Sequence, residues 1–253
     1  VFILIGLLVL VPIWKVVVDS FNAVGVYQFR LWPEDFTLDG YKTIIHTQRL
    51  YRPFINSVIT TVLGTFLGLL LSTLGGYVLI QFDMPGRNFF AYFLLFTMIF
   101  SGGMIPEYLV MKQLHLVNSM WILVVKHGMN VYNLVLMRNF FEGIPASLFE
   151  AAEIDGAGRL RRFINVTLPQ VKEMTFVMCV TTVTGAFLVF NDVYILTGGG
   201  PGNASTTLAV YMHKNGFALD KMGYASTIAV GMLIISMILA LIQNRAFGSG
   251  KED

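Results

Sequence analysis

The side chains best suited to chemistry are few and scattered. Lys126 and His127 stand in an apolar stretch, with the amides of Asn130 and Asn133 and the phenol of Tyr132 just behind them. A cation beside hydrogen-bonding groups in such a stretch signals function, because it costs free energy unless something polar meets it. Lys126 has a plainer alternative, which is to snorkel or to pair with a carboxylate. The four histidines, His46, His115, His127 and His213, lack metal-ligand spacing, and the single Cys179 excludes an internal disulfide and every cysteine-based zinc pattern. The run Gly198, Gly199, Gly200, Pro201, Gly202 resembles a phosphate loop only in its glycines: Asn203, Ala204 and Ser205 follow, and no G-x-x-x-x-G-K-[ST] pattern occurs anywhere. No Ser, His and Asp set stands out. The sequence predicts no catalytic centre, no metal site and no nucleotide site of its own.

The elements that must position these residues follow from the solvent the composition demands. Of 253 residues, 55% are hydrophobic and 13% charged, where a soluble domain carries about 25% charged residues. So few charges cannot clothe a water-soluble surface, which makes lipid the expected solvent. The net charge of +2 is too small to argue for nucleic acid. A crossing needs about 20 mostly apolar residues, and six such windows appear, at residues 1–18, 54–81, 89–105, 120–137, 174–190 and 225–242. The expectation is an all-α polytopic membrane protein with six transmembrane helices in a single domain over 1–253. The first window has neither a basic leader nor a cleavage site, and it lacks an initiator Met, so residues before it are expected to lie outside the chain.

Six crossings put both termini on one face. The connections 82–88 and 138–173 with the tail hold eight Lys and Arg against seven for 19–53, 106–119 and 191–224. That count barely orients the bundle, but the basic residues are denser on the first face, where Arg159, Arg161 and Arg162 cluster, which favours that face as cytoplasmic. Gly64, Gly68 and Gly75 share one helical face, a small-residue pattern that predicts close helix packing.

Connection 138–173 is long, amphipathic and punctuated. Pro145, Ser147 and Glu150 read as a capping box for a helix starting near Leu148. Gly156 and Gly158 offer stops, and a second helix from Arg159 is predicted to end at Pro169. The residues Glu150-Ala151-Ala152, then Gly156, then Val166, Leu168 and Pro169 resemble the EAA signature of binding-protein-dependent ABC importer permeases. That signature reads EAA, three residues, Gly, nine residues, Ile, any residue, Leu-Pro, and the one departure is Val166 in the Ile position. The surrounding Ile144-Pro145, Leu148-Phe149 and Ile154-Asp155-Gly156-Ala157 are similar to the carbohydrate-uptake branch.

The resemblance implies a coupling helix that docks on a separate ATPase subunit through Glu150, Ala151, Ala152, Asp155, Gly156, Leu168 and Pro169. The residue pattern agrees, since Leu148, Ala151, Ala152 and Ile154 interleave with Glu150, Glu153 and Asp155, an apolar seam with acidic borders that suits a protein groove better than lipid headgroups. The resemblance further implies a second permease subunit, with a heterodimer expected, two ATPase subunits holding ATP and Mg, and an extracytoplasmic solute-binding protein. This chain would bind no cofactor, catalyse nothing itself, and lie in a bacterial cytoplasmic (inner) membrane with both termini cytoplasmic. Connection 19–53, with Tyr27, Trp32, Tyr41 and Tyr51, suits a transient protein contact as well as it suits an aromatic belt. The Gly198 to Gly202 run reads as a hinge reaching toward the binding protein, and Lys126, Asn130, Tyr132 and Asn133 are the candidate pathway residues. The alternatives are an ion-coupled secondary transporter, disfavoured because no predicted span holds Asp or Glu, and an ABC permease for a non-sugar solute.

Overall fold

Long apolar runs in lipid must close their backbone hydrogen bonds within the segment, and helix is the form that does so without a barrel. The computed structural model describes residues 2–22, 29–81, 84–117, 119–200 and 202–247, and among them the regular elements are all helical. In chain order these are α1 (Phe2–Ser20), α2 (Asp39–His46), α3 (Gln48–Ile80), α4 (Arg87–Ile99), α5 (Met104–Gln113), α6 (Trp121–Gly128), α7 (Val131–Glu142), α8 (Ala146–Ile154), α9 (Arg159–Arg162), α10 (Leu168–Gln170), α11 (Lys172–Phe187), α12 (Leu208–His213) and α13 (Met222–Phe247). Three wider π-type turns interrupt the pattern, at Phe163–Thr167, Val193–Thr197 and Lys214–Ala218. Tyr27 and Pro201 lie outside the described residues, as do the tail beyond Phe247 and the side chain of Arg159.

Among the described residues, Gln48–Ile80 and Met222–Arg245 are each long and apolar enough to cross a membrane. The α4 and α5 pair, bent by 119° at its break, makes a third candidate, as a broken span or a re-entrant pair. The expected fourth span is two helices, α6 and α7, with Asn130 at the join; its side chain caps α7 by accepting from the Asn133 N–H at 3.2 Å. The expected fifth is α11, of 16 residues. Six crossings remain a proposal for the chain.

Helix α3 shows which solvent its sequence is written for. Most of its buried positions are small, among them Ser57, Thr60, Thr61, Thr65 and Ser72, with Leu79 a large exception near its end, whereas Val62 is 60% and Phe66 67% exposed. A water-soluble helix hides the large apolar side chains and shows the hydroxyls; the reverse arrangement belongs in hydrocarbon, where close backbone approach holds helices together. The expected small-residue face is part of this contact. A Cβ on Gly64 would stand 3.0 Å from His127 Cβ, one on Gly68 3.3 Å from the His127 carbonyl, and one on Gly75 2.7 Å from Leu134. Gly128 answers from α6, where a Cβ would meet the Leu67 side chain at 2.6 Å.

The chain divides into two compact units. One takes in Val1–Val58, Asn118–Met120 and Phe187–Ile242; the other Ile59–Val117, Trp121–Ala186 and Gln243–Asp253. The core of the first is built on Phe187, Leu208, Ala209, Ile228 and Met232. That of the second is built on Met137, Phe141, Val171, Met174 and Met178, with Tyr77 packed edge-on against Phe141 and Phe163.

Candidate functional site

Helix α8 is set up differently at its start from what the sequence suggests. The helix begins at Ala146, with Pro145 at the N-cap position and no side-chain cap hydrogen bond. The capping-box reading is therefore corrected. The ring of Pro145 fixes its φ at −58° and launches the helix, which leaves Ser147 already inside the first turn, where its hydroxyl cannot cap.

The end of α8 is where the sequence reading holds in detail. Asp155 is the C-cap and Gly156 adopts the left-handed conformation at φ +74°. The Ala157 N–H donates to the Ala152 carbonyl at 2.9 Å and the Gly156 N–H donates to Glu153 at 3.0 Å, the two bonds of a complete Schellman closure. This supplies a physical reason for a glycine four residues after Ala152, since an L side chain at that φ would be strained.

Around its axis α8 is divided. Phe149 and Ala152 are half-buried, while Leu148, Ala151, Ile154 and Asp155 are exposed, Ile154 to 87%. Phe149, Glu150 and Glu153 line a cleft of about 550 Å³ with Tyr77, Phe141 and Arg162. The Arg162 guanidinium donates to Glu153 at 2.9 Å, tying the far side of the bend back to α8. At the same cleft, Glu142 accepts from Arg138 at 2.8 Å and lies 3.4 Å from Arg87. Exposed apolar side chains continue past the bend, with Leu160 72%, Ile164 51% and Leu168 44% exposed.

Pro169 does not end the second helix. The backbone opens into the π-type turn Phe163–Thr167, so that the Leu168 N–H reaches the Phe163 carbonyl, and α10 and α11 carry the chain onward. Proline lacks a donor and crowds the carbonyl one turn back, and widening that turn relieves the clash without breaking the helix. Both Leu168 and Pro169 are exposed.

The four polar residues singled out around Lys126 are not brought to one point. Lys126 Nζ lies 2.5 Å from the Glu107 carboxylate, the two side chains 28% and 32% exposed. A carboxylate for it therefore comes from α5 of the same chain, and the bent pair α4–α5 does hold an acid. Asn133 is buried, its amide donating to Thr182 of α11 at 3.2 Å; Asn130 serves as the α7 cap; Tyr132 is 58% exposed. Glu107 was legible as an acid but not as a partner, because 19 residues and a helix break separate it from Lys126.

The glycines of the run are held by hydrogen bonds from neighbouring side chains. Gly198, Gly199 and Gly202 have φ of +59°, +82° and +55°. The Thr197 hydroxyl accepts from the Gly199 N–H at 3.1 Å and from Ser205 at 2.7 Å; Ser205 also donates to the Gly200 carbonyl and Thr206 to that of Gly199. Lys214 Nζ donates to the Gly198 carbonyl at 2.9 Å, and the Asn56 amide donates to the Ala204 and Thr206 carbonyls. The three consecutive hydroxyls of Ser205, Thr206 and Thr207 were the available sign, since hydroxyls beside glycines bond the local backbone.

The family described as binding-protein-dependent transport system inner membrane component matches residues 2–248. A probable ABC transporter permease protein, YurN of Bacillus subtilis, is 54% identical over 110 residues, which is 44% of this chain and 38% of that one. The polygalacturonan/rhamnogalacturonan transport system permease protein YtcP of the same organism is 40% identical over 167 residues, 65% and 58% of the two chains. The matched stretches thus span 38% and 58% of these relatives' lengths. Among solved structures, a chain of a bacterial ABC transporter involved in the import of the acidic polysaccharide alginate superposes with a TM-score of 0.80 at 26% identity, covering 98% of this chain and 93% of that one.

Proposed function

Because the chain belongs to the family of binding-protein-dependent transport system inner membrane components, we propose that it is a permease subunit of an ATP-driven importer of sugars or oligosaccharides. It forms one half of a translocation pathway in a bacterial cytoplasmic membrane and pairs with a second permease subunit. ATP and Mg reside on two separate ATPase subunits, and an extracytoplasmic binding protein delivers the solute. The substrate class rests on the relatives and on the carbohydrate-type residues around Glu150.

The observation that carries the reading is the geometry of α8. It is a short helix closed by a Schellman turn at Gly156, anchored inward by Phe149, and showing bare Leu148, Ala151 and Ile154 outward. An apolar row that is expensive to leave in water suits burial in a groove on the ATPase, with Glu150 and Asp155 at its border. The Arg162 to Glu153 pair braces this lever against the end of α9. Closure of the ATPase pair would then move α8, and through α9, α10 and α11 the packed helices, between inward-open and outward-open arrangements.

The test is uptake into proteoliposomes holding the co-purified complex and the binding protein. ATP-dependent sugar uptake that vanishes when the phosphate-loop lysine of the ATPase is replaced supports the reading. Uptake that persists without ATP and follows an ion gradient overturns it in favour of a secondary transporter.

A further inference from the structure

A cavity of about 680 Å³ opens in the unit that carries connections 19–53 and 191–224. Its lining draws on both, with Asn22, Asp39 and Arg49 from the first and Lys214, Lys221 and Tyr224 from the second. Three cations thus face one carboxylate, and that carboxylate, Asp39, already has Lys42 at 3.6 Å. Arg49 and Lys221 are exposed at the opening.

The interior of the cavity is unfinished. Asn22 is only 7% exposed, and its Oδ1 accepts from the Glu34 N–H at 2.9 Å, which fixes the amide so that Nδ2 is the remaining donor. That Nδ2 has no partner among the described residues. A buried donor left unmade is costly, so a cavity that keeps one beneath a cationic opening is built for an acceptor carrying negative charge.

We propose that this cavity receives a carboxylate side chain of the extracytoplasmic binding protein, with Arg49 and Lys221 meeting it at the opening and Asn22 Nδ2 meeting it inside. The inference rests on the permease reading above and adds the chemistry of the contact. A protein carboxylate is favoured over a sugar acid because Arg49, in the first turn of α3, and Lys221, just ahead of α13, are exposed at the ends of the long apolar helices rather than within them, where a docking surface meets them first. Exposed cations steer an acidic partner and make its binding salt-dependent, while the interior donor fixes the register.

The experiment measures binding-protein affinity for the whole complex in nanodiscs at low and high salt, beside basal ATP hydrolysis. The double variant Arg49→Glu and Lys221→Glu is expected to weaken binding at least tenfold at low salt and to flatten the salt dependence, with ATPase co-purification and basal hydrolysis unchanged. Asn22→Asp keeps the acceptor for Glu34 and replaces only the free donor, and it should weaken binding in the same direction. Acid-to-lysine exchange on the binding protein should restore affinity to the Arg49→Glu and Lys221→Glu variant. Unchanged affinity in both variants overturns the proposal. So does galacturonate binding to the cavity, lost in these variants, while binding-protein affinity stays at its wild-type value. Loss of ATPase co-purification from the unaltered complex would instead refute the permease reading itself.

Discussion

Replacing Gly156 by alanine isolates one conformational demand at the end of α8. A Cβ built there meets nothing within 4 Å, so packing contributes nothing to the cost. What remains is the φ of +74°, and an L residue pays about 1–2 kcal/mol in the left-handed region. A difference of that size shifts a two-state population about 5- to 30-fold. The competitor is a backbone in which α8 runs on past Asp155 and the Ala157 to Ala152 and Gly156 to Glu153 bonds are lost. The assay is the affinity of purified ATPase subunits for permease in nanodiscs, with binding-protein-stimulated ATP hydrolysis read in parallel. Gly156→Ala should weaken affinity by up to that factor at normal expression. Gly156→Asn should lose clearly less, because asparagine tolerates the left-handed region. If alanine and asparagine behave alike, whether both intact or both defective, the turn conformation is not what glycine supplies and the reasoning is refuted.

Four further outcomes follow from the packing. Glu107→Gln takes the Glu107 carboxylate from Lys126 and should cost about 1–3 kcal/mol, between the exposed and the buried limits for breaking an ion pair; thermal unfolding in detergent reads it, and a Glu107→Gln and Lys126→Met double variant should recover most of the loss. Gly199→Ala places a Cβ 2.5 Å from Thr206 Oγ1 at a φ of +82°, whereas Gly198→Ala is open at +59°, so limited proteolysis should show the first variant loosened well beyond the second. Gly76→Ala drives a Cβ to 3.0 Å from the Arg138 backbone N, which cannot move like a side chain, so it should lower the melting temperature more than Gly231→Ala, where nothing lies within 4 Å. Asn133→Ala removes the bond to Thr182 and should cost about 1 kcal/mol, with transport unchanged if the residue only ties helices together.

What was legible and what was not divides by the range of the interaction. The helical class, the close face through Gly64, Gly68 and Gly75, and the stop at Gly156 were all readable, because each rests on spacing within one helix or on one residue's φ. The capping box failed because the same letters, Ser147 and Glu150, fit a cap or a first turn, and only Pro145 decided between them. Pro169 was read as a stop because a widened turn leaves no single-residue signature. The partner of Lys126 and the cavity around Asn22 and Tyr224 depend on residues far apart in the chain, and no periodicity announces them. The glycine run shows the same limit at short range: counted alone the glycines read as slack, and the hydroxyls that take it up follow from three residues after Gly202.

The widened turn ahead of Pro169 also has a rotational meaning. Each residue of an α-helix advances the azimuth by about 100°, so the number of residues between Gly156 and Leu168 fixes a compass bearing as well as a length. The π-type turn at Phe163–Thr167 absorbs an additional residue and brings buried Thr167 and Val171 into one row with Met174 and Met178 of α11 while Leu168 and Pro169 stay outside. Deleting a single residue within that turn would leave every side chain chemically intact and swing the buried row out of the core. The fixed intervals of the EAA signature thus work as a torsional gauge that keeps the exposed edge of α8 and the buried side of α11 in phase.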